Sequence, residues 1–348
     1  MPVIAVDAMG GDLAPEEIVK GVADASLATA IECVLVGDEP RIQAVLDTVS
    51  YNPAHIRIHH AGDAVGMHEP PREALKAKRD ASIRVGAALV AEGQADALVS
   101  AGNTGACLLA CARELKPIKG IRKPALASVY PRHTDHPGQD ALALLLDVGA
   151  TVRCDAADLV QFAVMGNAYA HRVSKVARPR IALLNMGPEA FKGGDVLSEA
   201  HERLASMPSI NFVGNIEGSD VAKGRADVIV CEGLLGSVVL KFIEGITDVV
   251  NDVASNAVKQ RLLWRLGMRL LSRGLREVSH LTEHAHYGGA PLLGFEHLLV
   301  KAHEHSRAPA IANAVKLAAK TVRDGVVAEI VAGLQAVRGR DGLGQLCL

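Results

Sequence analysis

Six short segments of this 348-residue chain join glycine to Asp, Asn or Glu at the end of an apolar run. They are "DAMGGD" (7–12), "SAGNTGA" (100–106), "LDVGAT" (146–151), "LNMG" (184–187), "GNIEG" (214–218) and "CEGLLGS" (231–237). In the second, an apolar run reaches Ser100, opens into Gly102-Asn103-Thr104-Gly105 and resumes as a helix. Glycine lets backbone N–H groups approach an oxyanion, and a helix N-terminus adds positive dipole there. A strand-to-helix turn of this composition is therefore suited to hold a small anion. Glycine is common in such turns, so a single one is a weak signal. Six facing one edge of a sheet would be a strong one, and that is the expectation.

The elements that must position these turns alternate along the chain. Apolar runs "VIAV" (3–6), "CVLVG" (33–37), "IRIHH" (56–60) and "DALVS" (96–100) read as strands, as do "ALASVY" (125–130) and "ALALLLDVG" (141–149). The theme returns with 180–187, 210–218, 227–233 and 297–303. Helical periodicity fills 71–92, 159–173, 237–253 and 309–337. Alternation of this kind predicts a mostly parallel sheet with helices on both faces, whose ligands lie beyond the carboxyl ends of strands. One domain over 1–338 is expected, with 339–348 a loose tail.

Composition excludes several classes. Hydrophobic residues make up 49% but aromatics only 3%, with one Trp, four Tyr and five Phe, too few for base-stacking platforms. The net charge of −2 also argues against a nucleic-acid partner. No apolar run approaches the roughly 20 residues that span a bilayer, and "MPVIAVDAMGGD" lacks a basic leader, so a cytoplasmic protein is expected. The six cysteines form no C-x-x-C pair and read as buried free thiols. "HTDH" (133–136) sits in a polar, proline-flanked loop and is not assigned a metal. "GNTGA" lacks the Lys-Ser/Thr of a phosphate-binding Walker loop, and no G-x-G-x-x-G follows the first strand. Neither metal nor cofactor is expected.

Taken together, "AVDAMGGD" (5–12), "VGMHEPPREALKAKRDASI" (65–83), "ADALVSAGNTGA" (95–106), "LLLDVGA" (144–150), "QFAVMGNAYA" (161–170), "FVGNIEGSD" (212–220), "ADVIVCEG" (226–233) and "HYGGAPLLG" (286–294) resemble the bacterial phosphate acyltransferase (PlsX) family nearly end to end. These are acyl-carrier-protein:phosphate transacylases of phospholipid synthesis. The resemblance implies an α/β/α sandwich of the phosphotransacetylase and isopropylmalate dehydrogenase type, assembled as a homodimer. It implies attack of inorganic phosphate on an acyl thioester carried by acyl carrier protein. The acyl phosphate formed would pass to a membrane acyltransferase acting on glycerol 3-phosphate. Departures from the family pattern are Leu13 for His, Thr151 for Asn, Pro188 for an acid, and Glu232 and Ser237 for Asp and Asn.

Such a reaction needs no strong acid, because a thiol with a pKa near 8.5 leaves as thiolate. It needs phosphate held against the carbonyl and donors for the oxyanion. Lys192, in "PEAFKGGD" and matching a family lysine, is the candidate cation for phosphate. Asn103 and Thr104 are candidate donors to phosphate or carbonyl, with Asn185 and Asn215 beside them. Gly10, Gly11, Gly102, Gly105, Gly187 and Glu232 complete the expected walls. Asp7 either orients Lys192 or caps its own turn.

One segment differs in character. "KQRLLWRLGMRLLSRGLREV" (259–278) carries six basic residues and one acid. Arg261, Arg265, Arg269 and Arg273 share a helical face, while Leu266, Leu270 and Trp264 lie opposite. This is the pattern of a basic amphipathic helix that rests on an anionic membrane surface or grips an acidic partner such as acyl carrier protein. It predicts peripheral association with the inner face of the membrane. Three rivals to the acyl-carrier reading are a coenzyme A-dependent phosphate acetyl- or butyryltransferase, an isopropylmalate-type dehydrogenase, whose metal-holding cluster of aspartates has no place in the sequence, and a non-catalytic membrane scaffold.

Overall fold

The apolar run that opens the chain becomes strand β1 (Val3–Asp7), whose Ile4 and Val6 face one core while Ala5 faces the other. This two-sided burial recurs along an eleven-stranded sheet covered by helices on both faces, in a computed structural model that describes residues 1–133, 142–260 and 288–340. The remaining strands are β2 (Glu32–Gly37), β3 (Ile56–His60), β4 (Ala97–Ser100), β5 (Ala125–Pro131), β6 (Leu142–Leu146), β7 (Arg180–Leu184), β8 (Asn211–Ile216), β9 (Val228–Val230), β10 (Ala290–Leu293) and β11 (Leu298–Lys301). Their order in the sheet is β3-β2-β1-β4-β11-β10-β5-β6-β9-β7-β8.

One face is covered by helices α1 (Glu16–Ala28), α2 (Glu39–Leu46), α6 (Ala156–Arg172), α7 (Gly194–Ala205), α9 (Ala308–Arg323) and α10 (Val326–Arg340). The other is covered by α3 (Pro71–Ala77), α4 (Ser82–Ala91), α5 (Thr104–Glu114) and α8 (Gly233–Gln260). Gly21 lets α1 and α9 meet closely, since a Cβ there would lie 2.6 Å from the Ala308 carbonyl oxygen and from Ile311 Cβ. Cys33, Cys107, Cys111 and Cys231 are buried free thiols, and burial pushes the first up to about 12 and the second up to about 11.

The sheet is mostly parallel, as expected, but its strands run in two senses. β1, β2, β3, β4 and β11 pair parallel. β10 is antiparallel to β11 and to β5, and β5 is antiparallel to β6. β6, β9, β7 and β8 are then parallel among themselves. Three reversals leave this second group running opposite to the first. The carboxyl ends of β1 and β4 therefore lie on one edge of the sheet, and those of β6, β7, β8 and β9 on the other. The expectation that six glycine turns face a common edge is corrected to two and four. The predicted helix 71–92 is also two helices, broken at Lys78–Ala81, and 309–337 is broken at Asp324–Gly325.

The residues 134–141, 261–287 and 341–348 lie outside the described ones. So do most of the basic segment, with Arg261, Trp264, Arg265, Leu266, Arg269, Leu270 and Arg273, and the tail beyond Arg340.

Candidate active site

At the first edge, β1 ends in Asp7, which is only 2% exposed. Ser82, at the start of α4, donates its hydroxyl to Asp7 Oδ1 at 2.6 Å, and Ser100, at the end of β4, donates to Oδ2 at 2.7 Å. The Met9 N–H adds a longer bond of 3.3 Å to Oδ1. Burial raises the Asp7 pKa above the ordinary carboxylate value, and the two serine bonds offset part of that rise. The cation facing Asp7 is Lys301, the last residue of β11, not Lys192. Lys301 is 9% exposed and donates to the carbonyls of Ala101 at 3.2 Å and Ala302 at 2.5 Å. Burial lowers its pKa, and Cys107, Glu304 and, least of the three, Asp7 counteract part of that shift. Sequence reading assigned Lys301 to a strand and missed this role. The available signal was a lysine closing the otherwise apolar strand "LLVK".

These two buried groups clamp the β4–α5 turn from both sides. Ser100 Oγ accepts the Gly102 N–H at 3.0 Å while donating to Asp7, and Lys301 holds the Ala101 carbonyl. Asn103 caps α5, its Oδ1 accepting the Ala106 N–H at 3.1 Å. Its amide donates to the Met67 carbonyl at 2.9 Å and the Glu69 carbonyl at 3.3 Å. Both ends of the Asn103 side chain are thus committed to bracing. The first N–H groups of the helix, those of Thr104 and Gly105, have no acceptor within it and supply the positive end of its dipole.

The Gly10–Gly11 turn packs against this one. A Cβ on Gly102 would lie 3.2 Å from Gly10 Cα, and a Cβ on Gly10 would strike Asp7 Oδ2 and sit 2.9 Å from Gly102 N. Gly11 has φ +110°, a value that L side chains rarely adopt. Asp12 completes the edge by pairing with His305 Nδ1 at 2.8 Å. A shallow recess between the turns, too tight for a water molecule, is lined by Asp7, Met9, Gly10, Ser82, Gly102 and Asn103.

The second edge is built differently. Asp147, fully buried, accepts from the N–H groups of Leu126, Gly149 and Ala150 on Oδ1, and from the Thr151 N–H and hydroxyl on Oδ2, at 2.7–3.0 Å. Thr151 Oγ1 in turn accepts the Gly233 N–H at 3.0 Å. The threonine that departs from the family pattern thus ties the β6 turn to the start of α8. Asn185 donates to the Lys192 carbonyl at 2.8 Å and accepts the Met186 N–H at 2.7 Å. Asn215 donates to the Glu189 carbonyl at 2.9 Å and contacts His201 Nδ1 at 3.1 Å. Lys192 curls over Gly187, whose missing Cβ would lie 2.7 Å from its Nζ, and forms an ion pair with Glu189 at 2.8 Å. Glu232 is half-buried on the same edge.

The structure thus brings together Asp7, Gly10, Gly11, Gly102, Asn103, Thr104 and Gly105. Separately it gathers Asn185, Gly187, Lys192 and Asn215, with Glu232 on the neighbouring β9 turn. It does not join the two sets. Helix α8 measures the gap: it starts at Gly233 on the second edge, and its Glu244, eleven residues and about 16 Å along, acts electrostatically on His303 at the first. Asp7 therefore does not orient Lys192.

A fold of this kind, a mostly parallel sheet sandwiched by helices, is that of the phosphotransacetylases and their dehydrogenase neighbours. The chain is similar to a phosphotransacetylase from Streptococcus pyogenes (TM-score 0.60, 16% identity, 97% of this chain and 94% of that one). It is also similar to a 4-hydroxythreonine-4-phosphate dehydrogenase from Klebsiella pneumoniae (TM-score 0.51, 15% identity, 92% and 99%). The family described as fatty acid synthesis protein matches residues 3–329. A phosphate acyltransferase from Dictyoglomus turgidum is 40% identical over 338 residues, 97% of this chain and 99% of that protein. The chain belongs to this family and is an acyltransferase.

Proposed function

We propose that the protein transfers a fatty acyl group from an acyl-carrier-protein thioester to inorganic phosphate, and that the reacting atoms meet at the Asp7 edge. A phosphate oxygen attacks the thioester carbonyl, the C–S bond breaks, and the thiolate leaves to be protonated by solvent. The products are acyl phosphate and free carrier protein. The observation that carries the location is the approach of the Gly10 and Gly102 turns beside the unshared amides of Thr104 and Gly105. Amides fixed in advance stabilise a developing oxyanion without reorganising. Asp7 and Lys301 are positioning residues: each holds part of the turn that carries those amides. Lys192, paired with Glu189 on the far edge, has no part in this centre within its own chain.

Assembly and place follow as parts of the same proposal. Along α8, Val238, Phe242, Ile246, Val249 and Val253 form an exposed stripe at helical spacing, with Phe242 68% exposed. Such a stripe supports a homodimer. No described helix is long and apolar enough to cross a membrane. The basic pattern of 259–278 supports reversible contact with an anionic inner leaflet, where a membrane acyltransferase specific for glycerol 3-phosphate would consume the product.

The deciding experiment mixes purified protein with hexadecanoyl-acyl-carrier protein and phosphate and follows free thiol and acyl phosphate together. Both are expected to appear in equal amounts only when phosphate is present. Activity with acetyl- or butyryl-coenzyme A alone would favour the coenzyme A reading, and no turnover with any donor would favour a scaffold.

A further inference from the structure

Next to the recess lies a second, larger cavity with no part in the reaction as described so far. It is an open cleft of about 510 Å³, within the range of small-molecule sites. Its walls come from Met9 and Gly11 on one side and from the loop Ala64–Glu69, with Lys78, on the other. Met9 and Val65 line both cavities, so the cleft opens directly off the recess.

The loop that forms the outer wall is held at several points. Asp80 accepts the Gly62 N–H at 2.5 Å, and Ser82 donates its N–H to the Asp63 carbonyl at 2.9 Å. Asn103 holds the Met67 and Glu69 carbonyls. Lys78 bonds both Glu69 oxygens at 2.6 and 2.8 Å and the Ala64 carbonyl at 2.7 Å. Met9 rests on Gly37, where a Cβ would come within 2.5 Å of its Cγ. The cleft is thus pre-formed, which spares a ligand the cost of ordering it.

These same bonds decide what the cleft takes. The three donors of Lys78 and the carboxylate of Glu69 are spent on one another and on the loop. The Asn103 amide is spent as well. What remains facing the space is Met9, Ala64, Val65 and Met67, with the exposed His68 at the loop's outer side, and unbranched methionines adapt to a flexible aliphatic ligand. We infer that this cleft receives the aliphatic chain of the acyl donor, entering past Met9 from a thioester carbonyl held outside the Gly10–Gly102 turns by the Thr104 and Gly105 amides. The inference rests on the function proposed above and adds a chain-recognition surface to it.

The test compares kcat/KM for butyryl-, octanoyl- and hexadecanoyl-acyl-carrier protein in the wild-type protein and in Met67→Glu, with Met67→Ala as a milder variant. Met67 is half-buried in a surface loop, and thermal melts check that each variant is folded. Each methylene buried should favour wild-type turnover about fourfold. Met67→Glu should lower the hexadecanoyl value at least about tenfold while the butyryl value stays within about twofold, the scale set by losing two or more buried methylenes. An unchanged chain-length profile in both variants overturns the inference. So does an equal loss for all three donors, which would mean that the cleft serves the part they share. If the wild-type protein turns over no donor with phosphate, the proposed function itself falls; turnover with an unchanged profile removes only the cleft assignment.

Discussion

Replacing Lys301 by Met removes a buried ammonium while keeping a similar volume, so its consequences follow from charge. Two hydrogen bonds, to the Ala101 and Ala302 carbonyls, are lost, and Asp7 loses the one cation that offsets its burial. Asp7 and Lys301 act on one another through space and not as a bonded ion pair, so the main cost is that of the two lost charge-assisted bonds, about 1.5–3 kcal/mol each. Asp7 can answer the loss of the cation by taking up a proton, because its pKa is already raised and the loss of Lys301 raises it further. A carboxyl whose folded pKa lies above its unfolded one stabilises the fold below the unfolded pKa and loses that contribution as pH rises through the folded pKa. Between the folded pKa of Asp7 in the wild type and that in the variant, only the variant loses stability, by up to about 1.4 kcal/mol per pH unit. Urea unfolding followed by circular dichroism at about pH 5 and about pH 8 should show a stability deficit that is clearly larger at the higher pH. Adding Asp7→Asn should flatten the pH dependence and recover part of the loss, since a neutral amide needs no counter-charge. A deficit equal at both pH values, or unaffected by Asp7→Asn, would refute the electrostatic coupling of these two residues.

Four further outcomes are expected. Gly10→Ala should cut kcat/KM about a hundredfold by forcing apart the turns that aim the oxyanion donors, with urea unfolding showing a loss of only about 1–3 kcal/mol. Asp147→Ala should destabilise the protein by about 3–5 kcal/mol, because several buried donors lose their acceptor; a wild-type melting curve would contradict the bonds described. Lys192→Ala should leave KM for phosphate within about twofold, whereas a loss on the order of 2–4 kcal/mol in transition-state binding would return Lys192 to the phosphate and require that it act from a second copy. Leu266→Glu with Leu270→Glu should release the protein from anionic vesicles in flotation assays. Wild-type binding itself should weaken with salt, at about 1 kcal/mol per basic residue near the surface; unchanged flotation of the double variant would refute the interfacial helix.

Local patterns in the sequence were faithful guides to elements and poor guides to their mutual placement. Alternation in "IRIHH" defines β3 to the residue. β10 escaped notice because four residues with Pro291 carry too little pattern. The break at Lys78 has a tertiary cause, since its ammonium must reach Glu69 and Ala64 across the loop, and no local propensity announces that. The reversal of sheet sense was partly legible. Two apolar runs, 125–130 and 141–149, joined by a polar loop, form the β5–β6 hairpin, and a hairpin inverts every parallel strand added after it. Lys301 was illegible for another reason: its partners Asp7 and Ala101 lie 294 and 200 residues away.

The polar residues of the glycine turns show why their types alone could not locate the site. Asp147, Asn185, Asn215 and Asn103 all have side chains spent on neighbouring backbone, because a sharp turn at a strand end leaves amides and carbonyls that must find partners. Asp or Asn there is first of all a brace. Both edges keep helix N-terminal amides beyond this bracing, those of α5 at the first and those of the uncapped α7 at the second, and the edges differ in what surrounds them. At the second edge Lys192 is neutralised by Glu189 and lies against the turn it belongs to. At the first edge, two amides at the start of α5 have no acceptor among the described residues, a buried carboxyl and ammonium fix the turn beneath them, and a partly apolar cleft adjoins. The proposed substrate, a carbonyl that becomes an oxyanion on an aliphatic chain, suits amide donors beside partly apolar surface. The glycines allow the close approach, and the proposed site draws on the edge where amide donors adjoin that surface.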